Sequence, residues 1–118
     1  MAKTIIDDEE RINTMIKNID FCCEYAKNYT GIDFQNDIAV QYALCMGLQI
    51  ICENANHISE ETKKLNNEIA WKDILKTRNI ISHEYGALNL SMVFETIKND
   101  LPILKKQLIK ILELINIK

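Results

Sequence analysis

The sequence contains few residues that break helices. Its 118 residues include three glycines and one proline, and 47% of them are hydrophobic. A β-sheet protein would need more of the glycine- and proline-rich turns that connect strands. A chain of this length and apolar content can bury one packed core. We therefore expect an all-α fold, with residues 1–118 forming a single-domain bundle of four to five helices.

The chain also lacks an excess of positive charge. Fourteen lysines and arginines stand against 17 aspartates and glutamates, which gives a formal net charge of -3. Proteins that coat nucleic acid by releasing counterions need a broad basic surface. The composition argues against such a protein, so any contact with nucleic acid must be local.

Long hydrophobic runs and a targeting segment are missing as well. The N-terminal stretch MAKTIIDDEER leads directly into an acidic helix start. No stretch reaches the 18 or more apolar residues typical of a membrane span. We expect a cytoplasmic protein that makes no membrane contact.

The four cysteines do not form a recognisable metal or disulfide pattern. Cys22 and Cys23 are adjacent, and Cys45 precedes Cys52 by seven residues. Two helical turns separate the second pair by about 10 Å along the helix axis, too far for one metal ion. We expect all four to be small, reduced hydrophobic residues, with no metal site.

The spacing of apolar residues predicts four main helices. They run from about Asp8 to Tyr29, from a cap at Asp33 or Asn36 to a point between Ser59 and Leu65, from Trp71 to Gly86, and from about Ser91 to Ile115. Pro102 should bend or divide the fourth helix just after Asn99 and Asp100, because proline cannot continue the hydrogen-bond ladder.

The third helix carries an unusual set of polar residues in the segment RNIISHEYG, residues 78–86. At 100° per residue, one face collects a cationic stripe that could hold a phosphate, consisting of Lys72, Lys76, Asn79 and His83. The opposite arc is mostly apolar and consists of Trp71, Ile74, Leu75, Ile81 and Tyr85. Arg78 falls in the middle of this apolar arc, and an unpaired cation is costly to bury there.

Arg78 and His83 point in different directions on a regular helix. Five residues correspond to about 140° around the axis, so the two side chains cannot reach one small substrate. Either the helix unwinds before His83, or a second copy of the chain supplies the missing partner across a two-fold axis, and both routes can operate together.

An alternative interpretation gives Arg78, His83 and Tyr85 purely structural roles. Arg78 would pair with an internal carboxylate such as Glu53 or Asp73, His83 would end a helix, and Tyr85 would pack with its hydroxyl satisfied. Glu53 and Asn56, on the second helix, would either position Arg78 or make ordinary internal hydrogen bonds. His57 has no obvious partner in the sequence and is expected at a surface or helix end.

The motif Arg78-x4-His83-x-Tyr85 resembles the R-x4-6-H-x-Y signature of the HepT-like ribonuclease toxins of the HEPN superfamily. The segments QYALCMGLQIICENANHIS, WKDILKTRNIISHEYG and MVFETIKNDLPILKKQL are similar to the second, third and fourth helices of that family. The resemblance covers about three quarters of the chain.

This resemblance implies a metal-independent endoribonuclease that needs no cofactor and acts as the toxin of a type VII toxin-antitoxin system. Arg78 and His83 would be catalytic, with Asn79 orienting the phosphate or His83. Two subunits would share a cleft as a homodimer that could assemble further. The cognate minimal nucleotidyltransferase antitoxin would attach AMP to Tyr85, and RNA would be the substrate.

The chemistry fits these residue types. The ribose 2′-hydroxyl of RNA is a built-in nucleophile, so the enzyme must move protons and stabilise charge on the phosphorane. An imidazole can do the first near neutral pH, and a guanidinium the second. The charge runs Lys63-Lys64 and Lys105-Lys106 are expected to be solvated faces, although either could guide RNA. The alternatives are a non-catalytic module that docks a nucleotidyltransferase or a nucleotide, and a plain structural dimer.

Overall fold

The computed structural model describes residues 5–83 and 89–117. All of its regular elements are helical: α1 (Ile5–Ala26), α2 (Gly31–Asn36), α3 (Ile38–Asn56), α4 (Glu60–Leu65), α5 (Trp71–His83), α6 (Leu90–Glu95), a π-helical turn (Thr96–Asp100) and α7 (Leu101–Ile117). The all-α prediction is confirmed. Because α6, the π turn and α7 follow one another without a gap, the described residues form six helical bodies rather than four or five.

The predicted second helix is divided near its start. Thr30 caps a short helix, α2. Its hydroxyl accepts a hydrogen bond from the Asp33 amide, while the Asp33 carboxylate accepts one from the Thr30 amide. The chain then turns extended at Asp37, whose Oδ1 caps α3 by accepting from the amides of Ala39 and Val40. The expected cap at Asp33 or Asn36 is therefore wrong for α3, because the Asp37 carboxylate satisfies its first amides.

The region around Pro102 behaves as the sequence predicts. The helix that begins at Leu90 widens into the π turn at Thr96–Asp100 and resumes as α7 at Leu101. Proline lacks an N–H, and its ring crowds the carbonyl four residues earlier, so a regular α-helix cannot pass through it unchanged. The wider turn just before Pro102 accommodates this defect.

The core is organised around α3, which contacts α1 on one side and α5 on the other. α1 and α3 run antiparallel, because Arg11 bonds Asn54 at one end and the Cys22 thiol contacts the Leu44 carbonyl towards the other. A Cβ atom at Gly47 would lie 2.5 Å from the Cys22 sulfur. Only glycine therefore allows the two helices to approach this closely without a shift.

α3 is also the one described helix whose length and hydropathy would allow a membrane span. In the fold it is a core helix, and eight of its residues are buried against neighbouring elements. Central core helices of globular domains share this composition, so the property is explained by its position.

A buried carboxylate joins α1 to the end of α3. Asp8 is fully buried; its Oδ1 accepts from the Ser59 amide at 2.9 Å, and its Oδ2 accepts from the hydroxyls of Ser59 and Thr62 at 2.6 Å each. The sequence suggested only a favourable charge at the start of a helix for this residue. The structure instead uses Asp8 to fix the junction between α3 and α4, just beyond His57.

Candidate functional site

The site is centred on an ion pair between α5 and α3. Arg78 Nε donates to Glu53 Oε2 at 2.7 Å, and both side chains are partly exposed, at 31% and 39%. The two residues are 25 positions apart in the chain. Of the two carboxylates considered for Arg78, the structure selects Glu53 and not Asp73, which lines a groove on another part of α5.

Asn79 completes the support of the guanidinium. Its Oδ1 accepts a hydrogen bond from Arg78 Nη1 at 3.0 Å. The recorded bonds of Arg78 use Nε and one Nη1 hydrogen, whereas a guanidinium carries five N–H donors. The remaining donors belong to a group that is partly exposed and held in a fixed orientation, so they are suited to an incoming oxyanion.

The structure corrects the prediction that His57 has no obvious partner. His57 Nε2 lies 3.2 Å from Glu53 Oε1, at the C-terminal end of α3. Glu53 therefore uses one carboxylate oxygen for Arg78 and the other for His57. The signal that could have revealed this pair is the four-residue spacing of Glu53 and His57 on one helix, which brings their side chains together.

The electrostatics of Glu53 follow from these contacts. Its pKa is lowered from the ordinary glutamate value, mainly by the hydrogen bond from Arg78 and further by the hydrogen bond with His57. Partial burial acts in the opposite direction, because it disfavours the charged form. The charged carboxylate is thus the stable form at neutral pH, when it can orient Arg78.

The other two residues of the motif lie at or beyond the end of the described segment. His83 is the last residue of α5, and its side chain is outside the described residues, as is the whole of Tyr85. The backbone of α5 is nevertheless helical from Trp71 to His83. Of the two routes that could bring Arg78 and His83 to one substrate, unwinding of the helix before His83 is therefore not the one that the structure adopts.

The four cysteines are free thiols, and Cys52 directly precedes Glu53 in α3. Cys22, Cys45 and Cys52 are buried, and burial raises the pKa of the Cys22 thiol to about 12. The expectation of four reduced cysteines is confirmed. In residues 5–83 and 89–117, no group of three or more histidines, cysteines, aspartates or glutamates is arranged to hold a metal ion.

Comparison with known proteins identifies a family whose model covers most of the chain, including the motif residues Arg78 and His83. The family model described as "Ribonuclease HepT-like" matches residues 15–111, which include Glu53, Arg78 and His83. The chain belongs to the ribonuclease HepT-like family. No solved structure matches it.

Several curated HepT-like relatives are similar over most of the chain. "Gamma-glutamylcyclotransferase and putative RNase MJ0434" of Methanocaldococcus jannaschii is 30% identical over 86% of this chain and 46% of its own length. "Putative RNase TTE0752" of Caldanaerobacter subterraneus is 29% identical over 84% of this chain, and "Probable ribonuclease HepT" of Thermococcus cleftensis is 27% identical over 82%. The chain thus spans about half the length of the first relative and 88% of each of the other two.

The ion pair predicts a specific dependence of stability on pH. The variant Glu53→Gln removes the charge that stabilises Arg78. Because the folded pKa of Glu53 is lowered, the contribution of its charge is present at neutral pH and is lost as the pH falls through that pKa. We expect the variant to lose about 1 kcal/mol or less at pH 7, since the pair is partly exposed to screening water. The difference should shrink once the pH falls below the ordinary glutamate pKa of about 4.3, and it should vanish below the lowered pKa of Glu53 in the fold.

Denaturant unfolding of the wild type and Glu53→Gln across this pH range measures the effect. Glu113→Gln, at an exposed glutamate on α7, is the matched control and should show no such trend. A difference between the wild type and Glu53→Gln that stays constant down to pH 3 would contradict the assignment.

Proposed function

We propose that the protein is a metal-independent endoribonuclease that acts as the toxin of a type VII toxin-antitoxin system. The observation that carries the proposal is the fixed, partly exposed guanidinium of Arg78, which Glu53 and Asn79 orient within the motif of a HepT-like chain. The names of the relatives, which describe ribonucleases, support RNA as the substrate.

In the proposed reaction, the ribose 2′-hydroxyl attacks the adjacent phosphorus as a base removes its proton. The bond from phosphorus to the 5′-oxygen then breaks, and an acid gives that oxygen a proton. The products are a 2′,3′-cyclic phosphate and a 5′-hydroxyl end. His83 moves the protons, and Arg78 stabilises the charge on the non-bridging oxygens of the phosphorane.

The proposed active form is a two-fold homodimer. α5 stays helical through His83, which keeps the two catalytic positions about 140° apart within one chain. A second subunit can bring its own His83 to the Arg78 of the first, so the two-fold axis supplies what a single helix cannot.

One face of α3 supports this assembly. Ile38, Tyr42 and Met46 follow one another at four-residue steps and are 62%, 57% and 59% exposed. Glu53 lies within about 20° of Tyr42 and Met46 around the helix axis. A second copy seated on this apolar stripe would cover it and would place the two Arg78–Glu53 pairs beside the same interface.

Regulation is proposed to be covalent. The cognate nucleotidyltransferase antitoxin joins the phenol oxygen of Tyr85 to the α-phosphorus of ATP and releases pyrophosphate. Each attached AMP places a phosphodiester charge and a purine close in sequence to His83, where it competes with RNA for Arg78. The proposed site of action is the cytoplasm, away from membranes.

The first prediction concerns cleavage and toxicity. Expression of the wild type without its antitoxin should stop bacterial growth, whereas Arg78→Ala and His83→Ala should be harmless, because each removes a group that acts in the transition state. Purified wild type should cut RNA in the presence of a chelator and leave 2′,3′-cyclic phosphate ends, measured by end-group analysis. Equal growth of the wild type and both variants would refute a toxic nuclease and favour a non-catalytic docking module.

The second prediction tests the shared site. Arg78→Ala and His83→Ala homodimers should each be inactive, but a heterodimer can form one complete site from the intact Arg78 of one subunit and the intact His83 of the other. An equal mixture refolded together should recover about a quarter of wild-type activity, because half the dimers are mixed and each has one site of two. Mixtures that stay as inactive as their components would show that each chain must supply both groups.

The third prediction concerns modification. Coexpression with the antitoxin should increase the mass of the protein in whole AMP increments, and Tyr85→Phe should abolish the increase because it removes the accepting hydroxyl. Tyr42→Phe, at an exposed tyrosine on α3, is the matched control and should still be modified. An unchanged mass with growth restored would mean that the antitoxin acts by binding alone.

A further inference from the structure

A concave surface between α4 and α5 lies beside the Arg78–Glu53 pair. Its volume is about 600 Å³, and its lining includes Asn56 at the end of α3, Lys63 and Lys64 on α4, and Trp71 and Lys72 on α5. We call this surface the lysine concavity. Asn56 follows Glu53 by three residues, less than one turn of α3, so the lysine concavity and the candidate site adjoin at the C-terminal end of this helix.

The lining of the lysine concavity has a net positive charge. Its three lysines, Lys63, Lys64 and Lys72, stand against the two carboxylates Glu60 and Asp73, and Glu60 lies 3.7 Å from Lys63 and is engaged with that side chain. Lys64 and Lys72 are exposed and have no ion pair with any described residue. On a chain with a net charge of -3, such uncompensated lysines form a local basic surface.

A row of side chains on α5 connects this surface to Arg78. Lys72, Lys76 and Asn79 lie within about 60° of one another on the helix, and Asn79 bonds Arg78 directly. Lys76 is exposed and, like Lys72, has no ion pair with a described residue. The axial rise from Lys72 to Arg78 is about 9 Å, so an extended strand whose phosphate sits at Arg78 is long enough to reach this row with its neighbouring nucleotides.

Trp71 gives the lysine concavity a flat apolar wall. Its ring is half-buried, and its indole N–H donates to the Asn66 carbonyl at 3.1 Å, which fixes the orientation of the ring. An aromatic face beside lysines is a combination that many proteins use to bind single-stranded nucleic acid, since bases stack on the ring while phosphates meet the cations.

From this geometry we infer that the lysine concavity and the row Lys72–Lys76 bind the single-stranded RNA that flanks the scissile phosphodiester at Arg78. This inference rests on the proposed ribonuclease function. It assigns RNA guidance to Lys64, Lys72 and Lys76, and base stacking to Trp71. It also explains how a chain without a broad basic surface can hold a polyanion: the positive charge is placed along one short path.

Binding of a 12-nucleotide single-stranded RNA to the His83→Ala protein, which should not cut it, tests the inference. The dissociation constant is measured by fluorescence anisotropy at several salt concentrations, with and without the substitutions Lys64→Gln and Lys72→Gln. We expect the double substitution to weaken binding and to reduce the slope of log affinity against log salt by about 0.7 for each lysine. The matched control is Lys106→Gln with Lys110→Gln, two exposed lysines on α7, which should leave the slope unchanged.

The fluorescence of the protein provides a second, independent readout. Trp71 is the only tryptophan in the chain, so its emission reports on the lysine concavity alone. RNA should quench this emission as a base stacks on the ring, and the lysine substitutions should shift the quenching to higher RNA concentrations.

The possible outcomes separate this inference from the proposed function. If the wild type cleaves RNA and the His83→Ala protein binds it, but the lysine substitutions alter neither the slope nor the quenching, the lysine concavity is not the RNA path, and the ribonuclease proposal stands. If polyglutamate of the same charge binds the concavity as tightly as RNA, the surface is a general anion site and the assignment to RNA is wrong. If the wild type does not cleave RNA, the proposed function itself fails.

Discussion

The Glu53 carboxylate is the interaction on which the candidate site depends. One oxygen accepts from Arg78 at 2.7 Å and the other faces His57 at 3.2 Å, so a single anion links α5 to the end of α3. A guanidinium among apolar residues is costly unless a charged partner compensates it, and here the partner also sets its direction. Arg78 can therefore be both an ion-paired structural residue and a phosphate ligand, because the ion pair leaves several of its N–H donors unused.

The rest of the fold keeps this carboxylate in place. α3 passes so close to α1 that a Cβ at Gly47 would meet the Cys22 sulfur, and Asp8 fixes the α3–α4 junction through three hydrogen bonds. Both contacts act on the helix that carries Glu53. A rigid α3 gives Arg78 a fixed partner, which is a requirement for a group that has to meet charge as it develops in a transition state.

The proposed chemistry and the proposed RNA path use different parts of α5. Arg78 lies on the arc that faces α3, whereas Lys72, Lys76 and Asn79 share the adjoining exposed face. The hydrogen bond between Asn79 and Arg78 joins the two faces. One helix can thus hold the scissile phosphate and the neighbouring strand. The exposed apolar stripe on α3 lies on the face that also carries Glu53, so the proposed second subunit would border the cleavage site, while the flanking RNA would follow the lysine row on α5.

The helical class, the reduced cysteines, the change of the helix at Pro102 and the position of Arg78 on the third main helix could all be predicted from the sequence. These features depend on local spacing, on propensity or on the missing N–H of proline, all of which are readable along the chain. The packing of the helices, by contrast, was needed to show that Asp37 rather than Asp33 caps α3, that Asp8 is buried, and that Arg78 pairs with Glu53 rather than with Asp73. The contacts of Arg78 and Asp8 join residues that are 25 to 54 positions apart in the sequence. The cap of α3 depends on which of several adjacent polar residues leaves the helix. Helical periodicity encodes neither of these outcomes.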